Sequence, residues 1–178
     1  MARTPGVVDV MGGIGEDSGG LVLTATTALA FHVAAWSTND ETICVRFISI
    51  GQEKATNDFC VPISDVASGK DLSERLLGQC RSKDSEWAAP SLLTLHKLLE
   101  KKNPIQPDKG LCLLVATDFP DDADLGQQEV HSAATIDALC RLFSLPLSHL
   151  DKSRICATVI DRINGLYQLR KCMTALCG

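Results

Sequence analysis

The residues able to do chemistry fall into three groups. Five carboxylates, Asp118, Asp121, Asp122, Asp124 and Glu129, crowd a stretch whose only glycine is Gly126. Clustered carboxylates can hold a divalent cation, but a run of this density reads first as a solvated loop, and no metal site is expected. The eight cysteines (44, 60, 80, 112, 140, 156, 172 and 177) form no Cys-x-x-Cys pair. That argues against a zinc ribbon or a thioredoxin-type centre. Cys44, Cys112, Cys140 and Cys156 sit in apolar, periodic stretches, so buried free thiols in a reducing, cytoplasmic setting are expected. The histidines show no metal spacing. His32 lies in an apolar run and is expected in the core, whereas His96, His131 and His149 are expected at the surface or in caps. The stretch 162–178 contains no carboxylate.

The elements that must position these groups follow from periodicity. Residues 6–11 read as a short β-branched strand, and the pairs Gly12-Gly13 and Gly19-Gly20 bracket a turn-rich loop. Strands are predicted at 21–24, 29–36 and 42–50, with a weaker one at 59–63 and a turn at 38–40. The stretch 64–86 is polar and has no clear period. Leu92, Leu95, Leu98 and Leu99 predict a helix over 91–102, stopped by Pro104 and Pro107. Lys97, Lys101 and Lys102 fall on its exposed face and end. The continuous apolar run 110–117 reads as a strand buried on both faces. Helices follow at 127–143, 151–163 and 167–177. The pattern is that of an α/β chain, with strands first and helices layered later.

The 178 residues suit one domain, and 45% apolar with 22% charged residues is enough for a sizeable core. A net charge of −5 disfavours a general nucleic-acid binder, which needs clustered Lys and Arg. No apolar run reaches the roughly 20 residues of a membrane span, and no basic-then-apolar leader is visible. Neither nucleic acid nor membrane is therefore expected as a partner.

The segment 3–23, RTPGVVDVMGGIGEDSGGLVL, resembles the first motif of the GHMP small-molecule kinases, in the galactokinase and plant-type L-arabinokinase branch. Pro5, Gly6, Asp9, Met11, Gly12, Gly13, Ser18, Gly19 and residues 21–23 fall on it. Weaker echoes follow in order. Trp87-Ala88-Ala89 resembles a helix opening, 110–120 the strand before the phosphate loop, and 173–178 (MTALCG) the end of the catalytic helix. The resemblance implies one domain over 1–178 with the fold of the family's N-terminal half, a mixed sheet with helices on one side. The C-terminal half of the family fold is expected to be absent. It also implies a sugar-binding set of Asp9, Gly12, Gly13, Glu16, Asp17 and Gly19. ATP phosphates would be cradled by a Gly/Ser-rich loop at a helix N-terminus, and a late Asp would act on the attacking hydroxyl.

The sequence departs from that pattern where charge matters. Val7 stands where the family has Arg, and Glu16-Asp17 where it has Asp-Tyr. After Pro120 the serine triplet is missing, and Gly126 alone is left as a weak cofactor-binding candidate. Glu129-Val130 aligns with the start of the phosphate-loop helix, whereas Ser132-Ala133-Ala134 comes too late. Each carboxylate brought to ~4 Å of a phosphate costs on the order of 1 kcal/mol even in water. The catalytic Asp position falls on Lys171, or on Cys172 with a shift of one, so no catalytic residue is expected.

The expectation is a non-catalytic sugar-kinase-like domain used for binding or assembly, without a cofactor. Its expected partners are a monosaccharide and either a protein or the absent C-terminal half. Two alternatives stand beside it: the N-terminal part of an active sugar-1-kinase using ATP and Mg2+, and a scaffold subunit docking through an uncovered helical face.

Overall fold

The computed structural model describes residues 1–11, 20–50, 56–67, 72–83, 85–100, 109–120 and 123–178. Five strands, β1 (Ala2–Met11), β2 (Leu23–Ser37), β3 (Thr42–Ser49), β4 (Thr56–Pro62) and β5 (Leu111–Thr117), make one sheet in the order β1-β2-β5-β3-β4. The β3–β5 pair is parallel and the other pairs are antiparallel. The helices are α1 (Ser64–Ala67), α2 (Leu72–Ser82), α3 (Ala89–Glu100), α4 (Gln127–Leu142), α5 (His149–Asn164) and α6 (Leu169–Cys177). Glu86–Ala88 form a 3-10 turn ahead of α3.

Alternation along the strands decides which face is covered. Leu111, Leu113 and Val115 of β5 are buried together with Val33, Ile43 and Val45. The intervening Cys112, Leu114 and Ala116 are only half-buried. The expectation that β5 is buried on both faces is therefore corrected. The helices cover one face, and the other stays open, as a half-exposed mixed sheet allows. The mixed α/β class with helices on one side agrees with the sequence reading.

Other expectations shift for local reasons. Strands foreseen at 21–24 and 29–36 are one strand, because β1 offers partners to the stretch between them, with Val7 opposite Thr26 and Val8 opposite Ala25. The stretch that looked aperiodic contains α1 and α2. Leu76, Leu77 and Cys80 of α2 are enough to bury one face of a short helix. Val7, at the family's Arg position, is a core residue.

Three histidines are corrected. His32 lies on the open sheet face, half-buried and opposite Arg3 and Ala116. His96 and His131 are buried. His96 Nδ1 lies 3.1 Å from the Val66 carbonyl, and His131 Nε2 lies 2.8 Å from Ser91 Oγ. Each ring thus finds a polar partner, as burial requires. His149 is exposed at the start of α5, as expected. Lys97 pairs with Glu100 at 2.6 Å, while Lys101, Lys102, Pro104 and Pro107 lie outside the described residues.

Cysteines are corrected too. Cys44 and Cys60 face each other across β3 and β4 and form a disulfide. Cys112 is a half-buried free thiol, while Cys140 and Cys156 are buried free thiols as expected.

The loop before α4 is drawn against β1. The Val7 N–H donates to the Leu125 carbonyl at 3.0 Å. A side chain at Gly6 would meet Thr27 Oγ1 at 2.7 Å and Phe119 Cζ at 2.9 Å, so the approach needs glycine.

Candidate functional site

The N-terminus of α4 begins at Gly126, whose φ of 66° and ψ of 46° place it in the left-handed region. As a glycine it brings no capping side chain of its own. The first N–H groups of α4 must find partners elsewhere, and the helix dipole favours an anion there. The anion that stands there belongs to the chain. Glu129 Oε2 lies 3.6 Å from the point a Cβ on residue 126 would occupy.

Glu129 is carried on the buried stripe of α4. Glu129, Ala133, Ile136 and Cys140 recur at helical spacing, and all four are buried. The expectation that the acidic run is a solvated loop is thus corrected at Glu129, which is 8% exposed. It holds for Asp124, which is exposed. Asp118 has a separate task, accepting the Ala30 N–H at 2.7 Å. Asp121 and Asp122 lie outside the described residues. Burial pushes the Glu129 carboxyl above its usual range, and Lys171 nearby opposes the shift.

Lys171 comes from α6, the last helix. Thr174 Oγ1 meets Thr24 Oγ1 at 2.9 Å, and Cys172 and Ala175 are buried, so α6 is pinned beside β1 and β2. That places Lys171 Nζ 3.4 Å from Asp9 Oδ2, with the two side chains 18% and 31% exposed. Burial by itself would lower the lysine pKa. Glu129, Asp9 and Asp124 outweigh it, and the ammonium is held above its ordinary value. A general base needs the opposite shift. Cys172 is no substitute, because burial pushes its thiol strongly upward.

Glu129, Lys171 and Asp124 line an open cleft of about 540 Å³, with Gly126, Gln128, Asn164 and Gln168 among its other walls. Gln127 and Gln128 also border a second crevice of about 180 Å³ walled by Phe31, Phe47, Trp87, Pro90 and His131. The Phe31 and His131 rings stack at 5.1 Å, and Phe47 meets Trp87 at 5.6 Å.

Of the residues expected at the site, Asp9, Gly126 and Lys171 come together. Cys172 points into the core. Gly12, Gly13, Glu16, Asp17 and Gly19 lie outside the described residues. Sequence reasoning missed Glu129 as a site residue, although its place on the apolar stripe of α4 was a usable signal. It also missed Asn164 and Gln168, which carried none. Ser132 is bonded to Thr94 at 2.8 Å in the α3–α4 seam and takes no part.

The arrangement can neutralise carboxylates with one ammonium. It fits a triphosphate poorly, because a buried carboxylate already stands at the helix N-terminus where phosphate oxygens would accept N–H bonds. Among the described residues no group of three His, Cys, Asp or Glu could hold a metal ion.

L-arabinokinase of Arabidopsis thaliana is 25% identical over 203 residues, a match covering all of this chain and 19% of that protein. Among solved structures, mevalonate kinase of Methanococcus jannaschii superposes with a TM-score of 0.79 at 15% identity, over 98% of this chain and 50% of that one. The chain has a GHMP-kinase-like fold. It matches the N-terminal half of that fold. Lactococcus lactis galactokinase complexed with galactose aligns with this GHMP-kinase-like domain over 93% of its length and 38% of the galactokinase, at 18% identity and a TM-score of 0.67. The domain thus spans about half the length of the solved mevalonate kinase and a fifth of the curated relative. No family model matches it. No helix among the described residues is long and apolar enough to cross a membrane.

Proposed function

We propose that this GHMP-kinase-like domain, residues 1–178, is a non-catalytic sugar-kinase relative that acts as a binding or assembly module in the cytoplasm. One observation carries the reading. Lys171 occupies the position that the family resemblance gives to the catalytic Asp, and it is held charged among Asp9, Glu129 and Asp124. Phosphoryl transfer depends on positioning and on charge stabilisation. Here an ammonium replaces the proton acceptor, and a carboxylate replaces the phosphate cradle.

The assembly role draws on exposed apolar side chains at one end of the β1–β2 hairpin. Val10, Met11, Leu21 and Leu23 are 56, 53, 83 and 52% exposed. A protein partner or the C-terminal half of the fold would cover such a patch. A monosaccharide is the proposed small ligand, bound by the residues that follow Asp9 in the sequence.

Thermal-shift titration with Mg-ATP, and separately with galactose or arabinose, tests the reading. No shift with Mg-ATP and no sugar phosphate above background are expected. A ligand at a hundred times its Kd would stabilise the domain by about 2.7 kcal/mol, an effect that is easily seen. Stabilisation of that size by Mg-ATP would overturn the proposal, while a response to sugar alone supports it.

A second reading is the N-terminal part of an active ATP- and Mg2+-dependent sugar-1-kinase. The observation favouring it is that similarity to the L-arabinokinase runs the full length of this chain. Formation of a sugar 1-phosphate by the longest available chain would establish it.

A further inference from the structure

The open face of the sheet carries chemistry that the kinase-like cleft does not use. Cys44 of β3 lies directly opposite Cys60 of β4 in the antiparallel register. It also lies directly beside Cys112 of β5 in the parallel register. Three cysteines therefore stand in one line across three adjacent strands, on the face the helices leave uncovered. Trp36 of β2 closes the line beyond Cys112. Cys44 and Cys60 are bonded to each other, and Cys112 is free.

Position makes the central sulfur reachable from both sides. Neighbouring strands are spaced about 4.8 Å apart, and disulfides span Cα separations of roughly 4.4 to 6.8 Å. The register thus puts Cys112 beside Cys44 from the β5 side, within the range of strand separations that a disulfide can span. Burial, helped by Asp58 and Asp40, pushes the Cys112 thiol above its ordinary value, and the guanidinium of Arg46, two residues along the same face, opposes that shift, so the exchange calls for alkaline pH. Arg46 is itself held by Asp58 of β4 at 2.6 Å. The two outer cysteines differ in access: Cys112 is half-buried, and Cys60 is exposed on the edge strand.

We propose that Cys44, Cys60 and Cys112 form a thiol–disulfide exchange centre in which Cys112 displaces Cys60 from Cys44. The Cys112 thiolate attacks Cys44 Sγ. A Cys44–Cys112 bond forms, the Cys44–Cys60 bond breaks, and its electron pair leaves on Cys60, which takes up the proton that Cys112 released to water. No oxidant or reductant is consumed. The exchange moves the free thiol from an inner strand to the exposed edge, where a small-molecule disulfide of the glutathione class can reach it. This centre is independent of the reading of the cleft.

The test starts from the whole chain isolated with Cys44–Cys60 formed and held anaerobically at mildly alkaline pH, with no thiol or oxidant added. Aliquots are quenched in acid and alkylated. They are then mapped by mass spectrometry with a protease that separates Cys112 from Cys140. A Cys44–Cys112 linked peptide should appear with time in the wild type at constant total thiol, and should never appear in Cys112→Ser. Cys60→Ser, oxidised separately, should form Cys44–Cys112 as its stable bond. Absence of the Cys44–Cys112 peptide from the wild type overturns the proposal, whether or not Cys60→Ser folds.

Discussion

Lys171 Nζ stands 3.4 Å from Asp9 Oδ2, and this contact ties the last helix to the first strand. It does so beside Glu129, which is buried at the start of α4. Three segments far apart in sequence thereby meet in one small electrostatic unit. Its members depend on each other, because a buried charge without a counter-charge is costly.

Removing the cation should expose that dependence. Lys171→Met keeps the aliphatic stem but leaves Glu129 and Asp9 unmatched. A loss of about 1 to 3 kcal/mol is expected, read as a lower urea midpoint at an unchanged slope. The double variant with Glu129→Gln should lose less than the sum of the two single variants. Full additivity would show that the two groups do not interact.

Glu129 should write its own signature on the pH dependence of stability. Its folded-state pKa is raised above the ordinary 4.5, so the folded protein binds the extra proton. Stability contributed by the protonated form is present below 4.5 and is lost as pH rises through the folded value. Urea denaturation of Glu129→Gln across that window should show this falling component removed. An unchanged profile would mean that the carboxylate is solvated.

His131 acts in the opposite direction. Burial pushes its pKa down to about 3 from an ordinary value of 6.5. The unfolded chain therefore takes up the proton first, and stability falls as pH drops from about 6.5 towards 3. The loss across that window is on the order of a few kcal/mol. His131→Gln, which retains a polar partner for Ser91, should flatten it. NMR titration of the wild-type ring should show no protonation between pH 7 and 5.

Gly126→Ala isolates the backbone contribution. A Cβ there meets nothing closer than 3.6 Å, so the cost is that of the left-handed φ alone, roughly 1 kcal/mol. A drop in melting temperature of several degrees with unchanged far-UV circular dichroism is the expected result. A much larger loss would mean that the turn before α4 rearranges.

Much of the architecture was legible because its signals are local. Leucine spacing marks α3, and an apolar run marks β5. The motif around Asp9 and Gly12-Gly13 indicates the family and with it a mixed sheet with helices on one side, although the apolar run of β5 suggested burial on both faces. The helices between 64 and 82 were not legible, since α2 needs only Leu76, Leu77 and Cys80 to seat it, too few for a period to show. His96 and His131 were misplaced for a related reason. A histidine can be buried when a carbonyl or hydroxyl from another element meets its ring, and Val66 and Ser91 do so from 30 and 40 residues away.

What the amino-acid order determined by itself is the strand-then-helix sequence of most elements, the carboxylate-free last helix and the lysine in it. Only the folded chain decided that Glu129 turns inward to face that lysine, and that Cys44 lies between Cys60 and Cys112. Periodicity sets which face of its own element a residue occupies. Which distant residue comes to lie beside it depends on strand register and on how α4 and α6 pack against the β1–β2 pair, and those are properties of the assembled core.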